Sequence, residues 1–114
     1  MKEYELYVPL FLNDGTPVLD EVIDSIGERL LDQFGGCTYF PQPNKGMWKM
    51  GDVVFRNEVV IFRVLTRQAR TARRFFGQLK SELVQELKQE AILIVERTPR
   101  RFEASHFFLL STRT

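Results

Sequence analysis

Residues 53–65 form the longest run of β-branched and aromatic side chains in the sequence, and a run of that kind is a strand. Alternation along it puts Val60, Phe62 and Val64 on one side and Val59, Ile61, Arg63 and Leu65 on the other. A strand this long needs backbone partners and a cover for its apolar rows, so the rest of the chain must supply both. Residues 4–12 alternate in the same way, with Leu6, Val8 and Leu10 on one face and Tyr7, Pro9 and Phe11 on the other. Residues 37–40 and 47–50 read as two short strands separated by Pro41, Pro43 and the turn residues Asn44, Lys45 and Gly46. Gly51 and Asp52 suit a reversal into the long run, and Asn57 and Glu58 mark a bulge within it. Residues 91–95 are a last apolar run, ended by Thr98 and Pro99.

Two segments carry the helical period instead. Thr16 is placed to cap a helix with Pro17 at its first position, and Val18, Val22, Ile23, Ile26, Leu30 and Phe34 fall on one stripe before Gly35 and Gly36 end it. Residues 68–90 repeat the pattern with Ala72, Phe76, Leu79, Leu83 and Leu87. The order strand, helix, two strands, helix, strand defines an α+β chain of ferredoxin-like βαββαβ plan. Its antiparallel four-stranded sheet carries both helices on one face. A single domain is expected over residues 1–103, followed by an apolar tail over 104–114. Pro9 fits this plan least well, because the first strand is central and a proline there removes a ladder donor.

Three turn elements, Asp14-Gly15, Phe34-Gly35-Gly36 and Gly46-Met47-Trp48, give the middle of the chain a likeness. It resembles uncharacterised small bacterial domains of ferredoxin-like fold. The resemblance implies that fold and no activity.

Composition narrows the function by exclusion. Hydrophobic residues make up 44% of the 114, with few Gly and Pro, which excludes a disordered or low-complexity chain. The acidic, proline-interrupted start is not a secretory leader, and no apolar stretch is long enough for a membrane helix, so a cytoplasmic protein is expected. There is no glycine-rich phosphate loop and no paired Cys/His set, so neither a cofactor nor a metal is expected. Cys37, the single cysteine, reads as a small packed side chain, and His106, the single histidine, as part of the tail.

What remains are surfaces. Tyr7, Phe11, Val59, Ile61 and Leu65 make the second face of the sheet apolar, and Phe107, Phe108, Leu109 and Leu110 make the tail so. Together they are read as interface residues of a homo-oligomer, a dimer first, with the tail packing on the sheet or on a partner. Residues 1–36 carry a net −6 and residues 37–114 a net +7, which sum to the +1 of the whole chain. Within the basic part, Arg67, Arg70 and Arg74 stand at a helix start where cations are disfavoured, so they are candidates for an anion. The leading expectation is a small, non-enzymatic, homo-oligomeric domain. Its first rival is a small-ligand binder or cofactor-independent enzyme of the dimeric α/β-barrel type, with Tyr39, Trp48 and Arg63 lining a pocket. Its second is nucleic-acid binding through the arginine stripe.

Overall fold

The structure, a computed structural model, describes residues 1–89 and 91–99. Its elements are β1 (Lys2–Pro9), α1 (Asp20–Phe34), β2 (Thr38–Met50), β3 (Val53–Thr66), α2 (Ala69–Glu86) and β4 (Leu93–Arg97). The strands form one antiparallel sheet in the order β2-β3-β1-β4. The βαββαβ plan read from the sequence is the plan of the molecule.

The core lies between the sheet and the helices. Tyr4, Leu6 and Val8 of β1 sit opposite Val64, Phe62 and Val60 of β3, and all six are buried. Above them α1 lays down Ile23, Ile26 and Leu30, and α2 lays down Ala72, Phe76, Leu79 and Leu83. Phe34, at the end of α1, stacks on Phe76 in the first half of α2, and Arg29, further back in α1, pairs with Glu82, further along α2, so the two helices run antiparallel.

Three boundaries differ from those expected, each for a local reason. The first helix starts at Asp20, not beside Thr16, because residues 16–18 pair with the chain leaving β1: Leu12 donates to the Thr16 carbonyl and Val18 to the Leu10 carbonyl. The expected pair of short strands is one strand, β2, and the two prolines sit in a register shift between Phe40 and Asn44 on the sheet's outer edge, where lost donors cost least. The bulge therefore falls in β2 and not at Asn57 and Glu58. The second helix stops at Glu86, short of the expected Glu90, because Lys88 takes a left-handed conformation (φ 51°). Gln89 then donates back to the Val84 carbonyl, which closes the helix end.

The helix-free face of the sheet is not the uniform apolar surface that was expected. Tyr7, Val59, Ile61 and Leu65 are there, half-buried, but its centre is ionic. Arg63 donates to Glu5 at 2.7 Å, and Arg97 bridges Glu5 at 2.8 Å and Glu3 at 2.7 Å. Tyr7 adds a hydroxyl to the Glu5 carboxylate, and the Arg63 guanidinium lies over the Phe40 ring. Glu5 is only 5% exposed. Burial pushes its carboxyl up, but Arg63 and Arg97 outweigh burial and hold it below the usual carboxylate range. The expected interface segment Phe107 to Leu110 and the tail that contains it lie outside the described residues.

At the other face's rim, Arg73 of α2 grips Glu96 of β4 with two hydrogen bonds of 2.9 Å, and the buried Tyr4 hydroxyl donates to the same carboxylate. The Arg73 hydrogen bond, then that of Tyr4, brings the Glu96 carboxyl from 4.5 down to about 2.

Two outcomes test this arrangement. Leu83→Ala should cost roughly 2–5 kcal/mol in a urea titration, since Leu83 is buried in the core, whereas Arg70→Ala on the exposed side of α2 should cost far less. Carboxyls held low in the folded state contribute stability that is present above their unfolded values and lost as pH falls through the folded ones. Melting temperature should therefore decline as pH drops from 4.5 toward about 2, and Glu96→Gln should make that decline shallower.

Candidate functional site

The topology sends three connections to one end of the sheet: the β1–α1 loop, the β2–β3 turn and the α2–β4 loop. The β1–β3 ladder stops at the pair Pro9 and Val59, yet β2 and β3 stay paired out to Met50 and Val53. The hairpin therefore projects beyond the core as a two-stranded arm. Between this arm and the two loops lies a groove of about 1170 Å³. Phe11, Leu12, Asn13 and Gly15 form one wall, Gln89 and Ala91 another, and residues of the arm from Lys45 to Glu58 the third.

Each wall has a local cause. Asp14 accepts the Thr16 amide at 2.9 Å, and Gly15 supplies the positive φ of 87° that the reversal requires. The Asn13 side chain donates to the Lys88 carbonyl at 3.2 Å, which fastens the first loop to the second. In the arm, Trp48 pairs with Phe55 and their rings stack at 5.4 Å between centres. Gly46 stands opposite Asn57, whose amide oxygen lies 2.6 Å from where a Cβ would sit, so a larger residue there would push that side chain aside. Strand alternation sends Trp48 and Phe55 to one side of the arm and Met47, Arg56 and Glu58 to the other. A groove running along the arm's edge meets both kinds of side chain.

The aromatic surface is accessible: Phe11 is 42% exposed and Trp48 46%. Lys45, Arg56 and Glu58 add charges of both signs, and Asn13, Asn57 and Gln89 add neutral polar groups. The lining can thus take a flat π-system and, beside it, both an anionic and a cationic group.

Of the residues singled out from the sequence for ligand binding, Trp48 lines the groove. Tyr39 does not; it stacks on Phe62 at 4.7 Å, on the helix side of the sheet. Arg63 does not either, being held by Glu5 and Glu3 on the helix-free face. Phe11, read as an interface residue, is a groove wall. Arg70 and Arg74 are exposed at the start of α2, which lies at the opposite end of the sheet, and Arg67 precedes them. Cys37 packs against the core with its thiol 4.0 Å from the Gly27 carbonyl, and burial pushes that thiol up, away from the reactive thiolate. Among the described residues no group of His, Cys, Asp and Glu is arranged to hold a metal ion, and no helix is long and apolar enough to cross a membrane.

No family model and no curated protein matches the chain, so the resemblance to uncharacterised bacterial domains extends no further than a small α+β fold. Solved structures do match. A phage SAM lyase in complex with S-methyl-5'-thioadenosine superposes with a TM-score of 0.60 at 13% identity, over 84% of this chain and 79% of that one. A phage SAM lyase in its apo state superposes with a TM-score of 0.57 at 15% identity, over 84% and 78%. At these identities the likeness shows the fold. It corrects the expectation of a non-enzymatic domain, because the solved chains that share this architecture are SAM lyases.

Trp48, the single tryptophan, reports directly on the groove. Its emission should respond to acrylamide as a half-exposed indole does, and Phe55→Ala, which removes its stacking partner, should increase the quenching constant while Tyr39→Ala leaves it unchanged.

Proposed function

We propose that the chain binds S-adenosylmethionine in the groove beside the hairpin arm and cleaves it as a lyase, releasing S-methyl-5'-thioadenosine. The observation that carries this reading is the lining of the groove, on a fold that a SAM lyase shares over most of its length.

The substrate presents an adenine ring, a sulfonium cation and an amino-acid end bearing one ammonium and one carboxylate. Trp48, Phe55 and Phe11 give the adenine a stacking surface and the sulfonium a π-face. Glu58 offers a countercharge to the cationic groups, and Lys45 and Arg56 offer donors to the carboxylate. The chemistry asks little more. The sulfur already carries the positive charge, so when its bond to the amino-acid chain breaks, the electron pair returns to sulfur and a neutral thioether departs. No acid has to protonate the leaving group, and the substrate's own carboxylate oxygen, not water, forms the new bond to the carbon as the C–S bond breaks, so that the amino-acid end leaves as a lactone. The protein's tasks are to orient the substrate, to hold it against the walls and to keep water away from the reacting carbon. Such a site needs no histidine, cysteine or metal motif.

Incubation of the purified protein with S-adenosylmethionine should consume it and yield S-methyl-5'-thioadenosine in equal amount, read by chromatography. Trp48→Ala should raise KM by about tenfold, the scale of one lost stacking contact, and leave the circular dichroism spectrum intact. Glu58→Gln should lower kcat/KM. Intact S-adenosylmethionine after prolonged incubation, with no binding of the thioadenosine at millimolar concentration, would refute the reading.

A further inference from the structure

The groove has a wall that is not a side chain. Glu58 accepts the Leu10 amide at 2.9 Å through its carbonyl, so the even-numbered residues of this part of β3 direct their N–H and C=O toward the β1 side. One step further along the arm, at Arg56, β1 is no longer there. The Leu10 carbonyl has turned to the Val18 amide, and the Leu12 amide to the Thr16 carbonyl. On its other side β3 is fully engaged with β2. Among the described residues, no strand pairs with residues 53–57 of β3 on the side that faces the groove. Arg56 therefore presents a backbone donor and a backbone acceptor, side by side, to the cavity it lines.

We infer that the peptide N–H and C=O of Arg56 read the nucleobase, and that they make the site specific for adenine. This rests on the proposed binding of an adenosyl ligand and adds what selects its base. Adenine offers a ring-nitrogen acceptor (N1) next to an amino donor (N6), the complement of an N–H beside a C=O. The base then takes the place of the strand that β1 no longer supplies, in the plane of the sheet, where the side chains of the arm can cover it. Hypoxanthine, which carries a carbonyl acceptor (O6) next to a ring N–H donor, meets the same two groups with the polarity reversed. A site that leaves its own polar groups opposed in this way rejects such an analogue strongly.

Binding of S-methyl-5'-thioadenosine and 5'-methylthioinosine to the whole chain, compared by calorimetry, tests this. The adenine compound should bind at least about tenfold tighter, the scale of one to two lost hydrogen bonds. In amide-resolved NMR the Arg56 amide proton should move downfield with the adenine compound. Arg56→Ala should keep the base preference, since the peptide remains. Equal affinity for the two nucleosides, or an unmoved Arg56 amide while the adenine compound binds, would overturn the inference and leave the lyase reading standing. Failure of both nucleosides to bind would overturn the inference, and together with intact S-adenosylmethionine the lyase reading as well.

Discussion

Pro9 and Leu10 set the shape of the end of the molecule that carries the groove. Leu10 still gives its amide to β3, so alternation turns the Pro9 nitrogen toward β4, where it has no hydrogen to offer. The β1–β4 ladder accordingly ends at Tyr7 and Leu93, two residues earlier. After Leu10 the chain bends into its own small pairing with residues 16–18, and β1 is finished on both sides within three residues. The β2–β3 hairpin, which depends on neither ladder, runs on alone. The groove lies where the hairpin outlasts the strand that flanks it, and the Asn13 to Lys88 contact ties together the two loops on its far side.

The rest of the sheet is covered on one side and charge-paired on the other. The helix side is a continuous apolar contact between the side chains of the sheet and those of the two helices. The other side is held by four charged groups that sum to zero, Glu3 and Glu5 against Arg63 and Arg97. Because those charges satisfy one another, none is left over to recruit a ligand, whereas the charged residues of the groove stand on a two-stranded arm with solvent on both faces. The proposed site thus lies on an exposed arm and the connections beside a self-compensated sheet, where loops commonly carry binding chemistry.

Much of the fold was legible in the sequence because it rests on periodicity. The row Val60, Phe62 and Val64 and the stripe Phe76, Leu79 and Leu83 are set by the alternation of strand and helix, and both are buried as that alternation requires. The misreadings came where backbone pairing overrides local signals. Thr16 and Pro17 make a good helix start in isolation, but Leu12 and Leu10 engage the backbone of Thr16 and Val18 first. Pro41 and Pro43 break a strand in isolation, but an edge strand with a register shift absorbs them. The ionic centre of the helix-free face was hidden because Glu3, Glu5, Arg63 and Arg97 are distant in sequence and meet only through the ladders. In the groove, Trp48 could be picked out as an exposed aromatic near a turn. Phe11, Arg56 and Glu58 could not, since what brings them together is the early end of β1, and no motif announces it.

The central claim is that this groove, and not the helix-free face or the arginine-rich start of α2, is where a ligand binds. Hydrogen–deuterium exchange with and without S-methyl-5'-thioadenosine tests it most directly. The account predicts slowed exchange confined to residues 11–15, 45–48 and 55–58, with β4 and the first turns of α2 unchanged. Slowing confined to the strands around Ile61 and Arg97, or to the helix start at Arg70 and Arg74, would contradict it.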